Sequence, residues 1–193
     1  MDLRDEIAAC RICADRFAAT ATRHEPRPVV WFKGPPRILI ASQAPGARVH
    51  AAQTPFWDRS GDRLRDWLGT PKDVFYDRDR VAIVPMAFCF PGYDAAGSDL
   101  PPPRICAATW RQAVMDRLGR VPLTLLIGGY AQGWHLGGRQ GVTARVAGWR
   151  DHAPRVFCLP HPSWRNTAWL NRNPWFETDV LPALRARVQE VLA

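Results

Sequence analysis

The chain of 193 residues is 47% hydrophobic, which suits one domain of ordinary size, residues 1–193, with a buried core. The formal net charge is +8, and Lys33 and Lys72 are the only lysines, so arginine carries almost all of the positive charge. This excess favours a polyanionic partner. No apolar run approaches a membrane span, and the N-terminus lacks the apolar core of a signal peptide, so we expect a cytoplasmic monomer without a membrane partner.

Strands and helices alternate along the chain. The strand candidates are short, continuous apolar runs bounded by Gly, Pro or charge, which is typical of strands buried on both faces. The helix candidates carry apolar residues at helical spacing. In chain order the pattern predicts strand 37–41, helix 61–69, strand 81–86, helix 105–119, strand 123–129, helix 130–137, strand 155–160 and helix 174–192.

This alternation predicts an α/β fold of three layers, α/β/α, around a central, mostly parallel four-stranded sheet. Open sheets of this kind bind ligands at the carboxyl ends of their strands. The stretch "SQAPG" (42–46) ends the first predicted strand, and "PHPSWRN" (160–166) ends the fourth. We therefore expect these two Pro-containing loops to face one another across one crevice.

Five cysteines occur in a chain without a secretion signal, an odd number that argues against a disulfide framework. Cys10 and Cys13 form a C-x-x-C pair, while Cys89 and Cys106 flank a proline-rich stretch. This spacing points to metal or redox chemistry, with four buried free thiols as the alternative. Cys158 lies inside the fourth predicted strand and is expected in the core.

The motifs resemble those of the uracil-DNA glycosylase superfamily, most closely its iron–sulfur-containing branch. That branch begins with a Gly-Glu-Ala-Pro-Gly loop followed downstream by Pro-Phe and Gly, and "SQAPGARVHAAQTPFWDRSGDRL" is similar to it. "LLIGGYAQGWHLG" is similar to the family's strand followed by Gly-x-x-Ala, and "HPSWRNTAWLNRNP" to its last motif. Together with the four cysteines, these motifs cover nearly the whole chain in order. The resemblance implies an enzyme that flips uracil out of DNA and hydrolyses its N-glycosidic bond, leaving an abasic site.

The resemblance also implies roles for single residues. His161, in "HPS", matches the histidine that faces the uracil O2 and would stabilise the departing base anion. Phe56, in "TPF", would stack on the base. Backbone groups of the first loop, Ser42, Gln43, Ala44, Pro45 and Gly46, would contact the base and sugar.

This chain departs from the family at two catalytic positions. Gln43 replaces the family's Glu, and Ala44 matches the Asp that orients water in the best-known uracil glycosylases. Gln43 therefore holds water or base through its amide but cannot take a proton. Residues 47–50 contain no carboxylate, so His50 is the remaining acid–base candidate there, with an exposed loop histidine as the alternative.

A further departure concerns the reading of the base. Pro85 stands where the family has an Asn that hydrogen-bonds the uracil edge. Proline offers only its carbonyl, so Pro85 and the adjacent Met86 would contact the base without side-chain hydrogen bonds. Uracil would then be read by backbone groups and Gln43, or the selectivity is altered.

The remaining implied sites are a cofactor and a DNA contact. Cys10, Cys13, Cys89 and Cys106 would ligate a [4Fe-4S] cluster, with a four-cysteine zinc site as the alternative. Loop residues after His161 would contact uracil-containing DNA, either at a flanking phosphate or as a wedge in the duplex. These DNA-contacting residues are Ser163, Trp164, Arg165 and Trp169.

Two other functions are compatible with these residues. One is a superfamily member that binds DNA, an abasic site or trapped product with altered or lost chemistry, which the departures at Gln43, Ala44 and Pro85 favour. The other is an iron–sulfur sensor or electron-transfer protein that uses the fold as a scaffold. The "HPS" loop argues against the second, because a sensor has no need of it.

Overall fold

This computed structural model describes residues 2–193. At its centre lies a parallel sheet of four strands. The strands lie in the order β2-β1-β3-β4, and each neighbouring pair is parallel. This confirms the predicted α/β sheet. The strands are β1 Ile38–Ser42, β2 Val81–Pro85, β3 Leu123–Ile127 and β4 Val156–Leu159.

Both faces of the sheet are covered, which explains the uninterrupted apolar runs. Side chains alternate along β1 between two cores: Ile38 and Ile40 pack in the larger core, and Leu39 packs in the smaller one. Every residue of β1 and β2 is buried. The three layers follow from this burial, since helices must cover the apolar side chains on both faces.

Helices connect the strands and flank the sheet. Several are short helices of four to six residues that the sequence pattern did not predict, because fewer than two turns show no repeated apolar face. The helices are α1 Leu3–Ala8, α2 Ala14–Ala18, α3 Ala47–Ala52, α4 Arg59–Leu68, α5 Lys72–Phe75, α6 Arg104–Leu118, α7 Gly128–Leu136, α8 Val142–Ala147, α9 Thr167–Arg172 and α10 Leu181–Leu192; 3₁₀ turns span Trp149–Asp151 and Trp164–Asn166, and a π turn spans Phe176–Val180.

One predicted boundary was wrong: the third strand was predicted to reach residue 129, but Gly128 adopts a positive φ of 78° and starts α7 instead. The last helix, predicted over 174–192, is helical over nearly all of that range, and its first part, Phe176–Val180, is a π-helix that leads directly into α10. Apolar periodicity alone does not distinguish a short π-helix from regular α-helix.

The parallel arrangement brings the strands' carboxyl ends to one edge. The loop after β1, the residues after β2 and the loop after β4 therefore meet there, as the crevice prediction required. Two hydrogen bonds join the first two segments, from the Met86 N–H to the Ser42 carbonyl (2.8 Å) and from the Ala87 N–H to the Gln43 carbonyl (3.2 Å). Within residues 2–193, no helix combines the length and apolarity needed to cross a membrane.

Candidate active site

A cleft of about 660 Å³ opens at the carboxyl edge of the sheet. The whole first loop, Ser42 to Gly46, lines it, as predicted. Phe56, Pro85 and His161 also line it, each from a different segment of the chain. The structure thus brings the predicted base contacts together, with the exception of Met86, which is 7% exposed and packs in the larger core.

The first loop has small side chains apart from Gln43, and its ends are fixed by hydrogen bonds. Gly46 is the residue before α3, and the His50 N–H donates to the Gly46 carbonyl at 2.9 Å. The bonds to Met86 and Ala87 fix the beginning of the loop. The loop is therefore held at both ends while its backbone faces the cleft, which suits close approach of a planar ligand.

His161 is a neutral hydrogen-bond donor in this site. Burial lowers the pKa of His161, and the charge of Asp58 opposes that shift only in part. The Ser163 N–H donates to Nδ1 of His161 at 3.2 Å, so this nitrogen is the acceptor. In a neutral imidazole the proton then lies on Nε2. The Asn166 amide donates to the His161 carbonyl at 2.7 Å and fixes the backbone beneath the ring.

Phe56 lies at a strained point of the backbone. Its φ is 54°, in the left-handed region that phenylalanine rarely adopts. Two contacts hold it there: the Tyr76 hydroxyl donates to the Phe56 carbonyl at 3.1 Å, and the ring meets Phe75 edge-on at 6.3 Å. Gly61 is required beside it, because a Cβ at that position would lie 1.8 Å from the Phe56 carbonyl oxygen. Strain maintained by specific contacts is typical of functional positions.

The cleft is also lined by two carboxylates that were not predicted from the sequence, those of Asp58 and Asp99. Asp58 caps α4, accepting from the Gly61 N–H at 3.1 Å, and its charge raises the pKa of His161. Burial raises the pKa of Asp99, while the charge of Arg165 lowers it. Asp58 carried a detectable signal, since an aspartate before an amphipathic helix is an N-cap pattern. Its proximity to His161 depends on tertiary structure alone.

His50 is not brought to the cleft. It lies on the short helix α3, where its ring meets His24 edge-on at 5.2 Å and approaches Phe90 at 5.9 Å. Burial lowers its pKa, and its Nδ1 is buried without a hydrogen-bond partner among the described residues. These contacts place His50 against the N-terminal segment, whereas acid–base work in the cleft would need it among the lining residues.

The rim beside His161 carries exposed and cationic side chains. Trp164 is 72% exposed and, like Ser163 and Arg165, lines the cleft. Ser163 accepts from the Arg165 N–H at 3.1 Å, and Arg63 of α4 donates to the Ser163 carbonyl at 3.1 Å, so the turn is braced from both sides. Trp169 lies elsewhere: its indole N–H donates to Thr143 at 2.8 Å and its ring packs on Trp175 and Phe176.

A second, smaller cavity is lined by Cys10, Cys13, Cys89 and Cys106. Burial raises the pKa of Cys89 to about 12 and that of Cys106 to about 11, so both are protonated when free. Among residues 2–193 no three His, Cys, Asp or Glu side chains converge closely enough to hold a metal ion.

The chemistry of this cavity nevertheless suits a thiolate-bound group. The four thiols share one apolar wall, and the Phe88 N–H donates to Sγ of Cys106 at 3.4 Å. A single zinc ion would need its sulfurs about 4 Å apart, since each Zn–S bond is about 2.3 Å. Cys158 is fully buried in β4, away from this cavity, as predicted.

Fold and site define the class of protein: an α/β protein with an open cleft at the carboxyl ends of its parallel strands. The model of the Uracil DNA glycosylase superfamily matches residues 30–185, and the chain belongs to this family. Membership associates the protein with glycosylase chemistry on DNA and with base-excision repair. The match includes Cys89 and Cys106 but begins after Cys10 and Cys13, so it does not address the iron–sulfur branch.

Proposed function

We propose that this protein is a DNA-repair glycosylase that flips uracil out of DNA and hydrolyses its N-glycosidic bond. The observation that carries the proposal is His161, a neutral Nε2–H donor in a cleft that also contains Phe56, Gln43 and Asp58. Excision needs a donor for charge developing on the base, a surface for the base and a water at the sugar. His161 would meet the first need, Phe56 the second, and Asp58 with Gln43 the third.

Recognition begins with extrusion of the base, because the glycosidic bond is inaccessible inside the duplex. Phe56 would stack on the flipped base, and the backbone of Ser42 to Gly46 would enclose it. Trp164, the most exposed large hydrophobic side chain within residues 2–193, would fill the gap left in the stack, and Arg165 would contact phosphate. We expect the protein to act on DNA as a monomer in the cytoplasm, associated with the nucleoid in a bacterial cell.

The bond then breaks with negative charge developing on the base and positive charge on the sugar. His161 would donate a hydrogen bond from its Nε2–H to the developing base anion while the imidazole stays neutral, a state that its lowered pKa favours. Asp58 would stabilise the oxocarbenium charge and hold the attacking water, with Gln43 as a second hydrogen-bonding partner of that water. The free oxygen of the Asp58 carboxylate suits this role, since one oxygen caps α4.

We further propose that Cys10, Cys13, Cys89 and Cys106 ligate a [4Fe-4S] cluster. The shared apolar cavity supports this assignment, and thiolates would replace thiols that burial keeps protonated. When bound, the cluster would tie the N-terminal segment to the loop after β2, a structural role. Purified protein should then be brown and contain roughly four iron atoms per chain. Colourless protein with one zinc would favour zinc.

The departures at Gln43 and Pro85 favour a second candidate, a relative that binds DNA or an abasic product with altered or lost chemistry. One experiment separates the two: a uracil-containing oligonucleotide is incubated with the protein and then cleaved with alkali. Strand breaks at uracil support excision. Tight, salt-sensitive binding without breaks supports the second candidate. A protein that neither binds nor cleaves DNA would instead favour an iron–sulfur sensor.

A further inference from the structure

A buried arginine, Arg111 of α6, bonds to the carbonyl of Pro85, which lines the cleft, and shares its helix with Cys106, which lines the second cavity. It is 1% exposed, and two backbone carbonyls and an imidazole are its partners. Its Nη1 donates to the carbonyls of Val84 (3.2 Å) and Pro85 (3.0 Å), and its Nη2 donates to Nε2 of His135 (2.6 Å). Its Nε has no hydrogen-bond partner among the described residues. The guanidinium is thus hydrogen-bonded but meets no carboxylate within residues 2–193.

Burying an arginine without a carboxylate partner costs free energy, so we expect the hydrogen bonds of Arg111 to contribute to the fold or the site. The bond to Pro85 contributes to the site, because Pro85 lines the cleft at the position where the base edge would lie. Proline has no N–H, so its carbonyl is the only polar backbone group it offers. Arg111 binds that carbonyl from behind the cleft, at the end of an edge strand. The bond fixes the direction of the carbonyl and polarises it.

The charge of Arg111 also interacts with Cys106, one of the four thiols of the second cavity. Cys106 lies five residues before Arg111 on α6, and a thiolate at Cys106 raises the pKa of Arg111 against the effect of burial. A group held by four thiolates brings several negative charges to this place. When bound, such a group would supply a negative charge that Arg111 lacks among the side chains around it, where the Trp134 ring, 5.0 Å away, offers only a cation–π contact.

We propose that Arg111 is a positioning residue that couples the two sites: it fixes Pro85 at the wall of the base pocket and takes its charge compensation from the anionic group bound by the four cysteines. The inference rests on the proposed function, since uracil is the base that Pro85 would meet. Two variants separate its two parts. Arg111→Lys keeps the charge but loses the planar fork that joins the two carbonyls, through Nη1, to His135, through Nη2, and Arg111→Gln loses both the charge and the fork.

Single-turnover kinetics on a uracil-containing oligonucleotide test the first part. Both variants should raise the half-saturating protein concentration about tenfold while lowering the maximal rate much less. Arg117→Lys is the matched control, since Arg117 lies on the same helix, is partly exposed and is bonded to Asp2. A merely structural role would lower the melting temperature of the Arg111 variants and leave their half-saturation unchanged, which would overturn the proposal.

The reduction potential of the iron-loaded protein tests the second part. Removing a nearby positive charge makes reduction harder, so Arg111→Gln should lower the potential while Arg111→Lys keeps it near the wild-type value. Equal potentials in all three proteins, or a wild-type chain that binds no metal, would overturn the charge coupling.

A measurement on the wild-type chain does not depend on the folding of any variant. Removing the metal with a chelator should raise the half-saturation several-fold, and an unchanged value would contradict the coupling. Failure of the proposed function is distinguishable, because a wild-type protein that leaves uracil in place while its potential still depends on Arg111 contradicts only the excision.

Discussion

The cleft and the cysteine-lined cavity differ sharply in the polarity of the residues that line them. The cleft combines carboxylates, a neutral imidazole, arginines and exposed backbone from loops after three strands. The cavity is formed by the N-terminal segment and the stretch that joins β2 to α6, and its wall is apolar apart from the thiols. A region built in the first way can develop and stabilise charge, whereas one built in the second holds segments together. Changes in the two regions should therefore affect different measurements, apart from the half-saturation that Arg111 is proposed to link to both.

The largest expected effect is on the rate of excision. His161→Ala should lower the single-turnover rate roughly a hundredfold or more, about 2.7 kcal/mol, because the donor to the base anion is lost. DNA affinity should change little, since the rim is untouched. Quenched single-turnover assays and equilibrium binding of the same oligonucleotide measure the two quantities. His152→Ala, outside the cleft lining, is the control. A wild-type rate in His161→Ala would remove His161 from the mechanism.

The next effect concerns the carboxylate. Asp58→Asn keeps the shape and the helix cap but loses the charge, so the rate should fall about tenfold. The pKa of His161 should fall further, because Asp58 now raises it. Rate measurements and an NMR titration of the histidine follow both changes. Gln43→Glu, which restores the family's residue, should keep or raise activity and should partly rescue Asp58→Asn. No change in rate would assign water binding elsewhere.

The cysteine-lined cavity should give the opposite result. Cys106→Ser should abolish metal binding and lower the melting temperature by roughly 2–4 °C per kcal/mol lost, since the Cys106 side chain also packs against the smaller core. The maximal single-turnover rate of the folded protein should stay within a few-fold of wild type. Iron analysis, thermal unfolding and single-turnover kinetics measure these effects. Cys158→Ala, in the core of β4, should destabilise without metal loss. A hundredfold fall in the maximal rate of Cys106→Ser would contradict a structural role.

The extent to which sequence predicts this molecule differs between its parts. The strands were predictable because burial on both faces leaves a continuous apolar run, as in "VAIVP". The placement of Gln43 and His161 followed from parallel strands ending at one edge. Asp58 and Arg111 were not predictable as site residues, because a helix cap and a buried charge gain their significance only from distant segments. His50 was predicted as an acid–base candidate in the cleft, but the short helix α3, which the sequence pattern did not predict, directs its side chain toward His24 and Phe90.

The smallest expected effect is on the pH dependence of the free energy of unfolding, through His135, which is bonded to Arg111 outside the cleft lining. Burial and the charge of Arg111 lower the pKa of His135 to about 3 in the folded protein, against about 6.5 when unfolded. The folded state therefore binds fewer protons, so this contribution to stability is complete above pH 6.5 and is lost as pH falls toward 3. Between pH 6.5 and 5.5 the free energy of unfolding should fall by at most about 1 kcal/mol from this group. Urea unfolding across that range measures it. His135→Gln should flatten the profile because the amide does not titrate, whereas an equally steep profile in that variant would assign the acid sensitivity to another histidine, such as the buried donor His161.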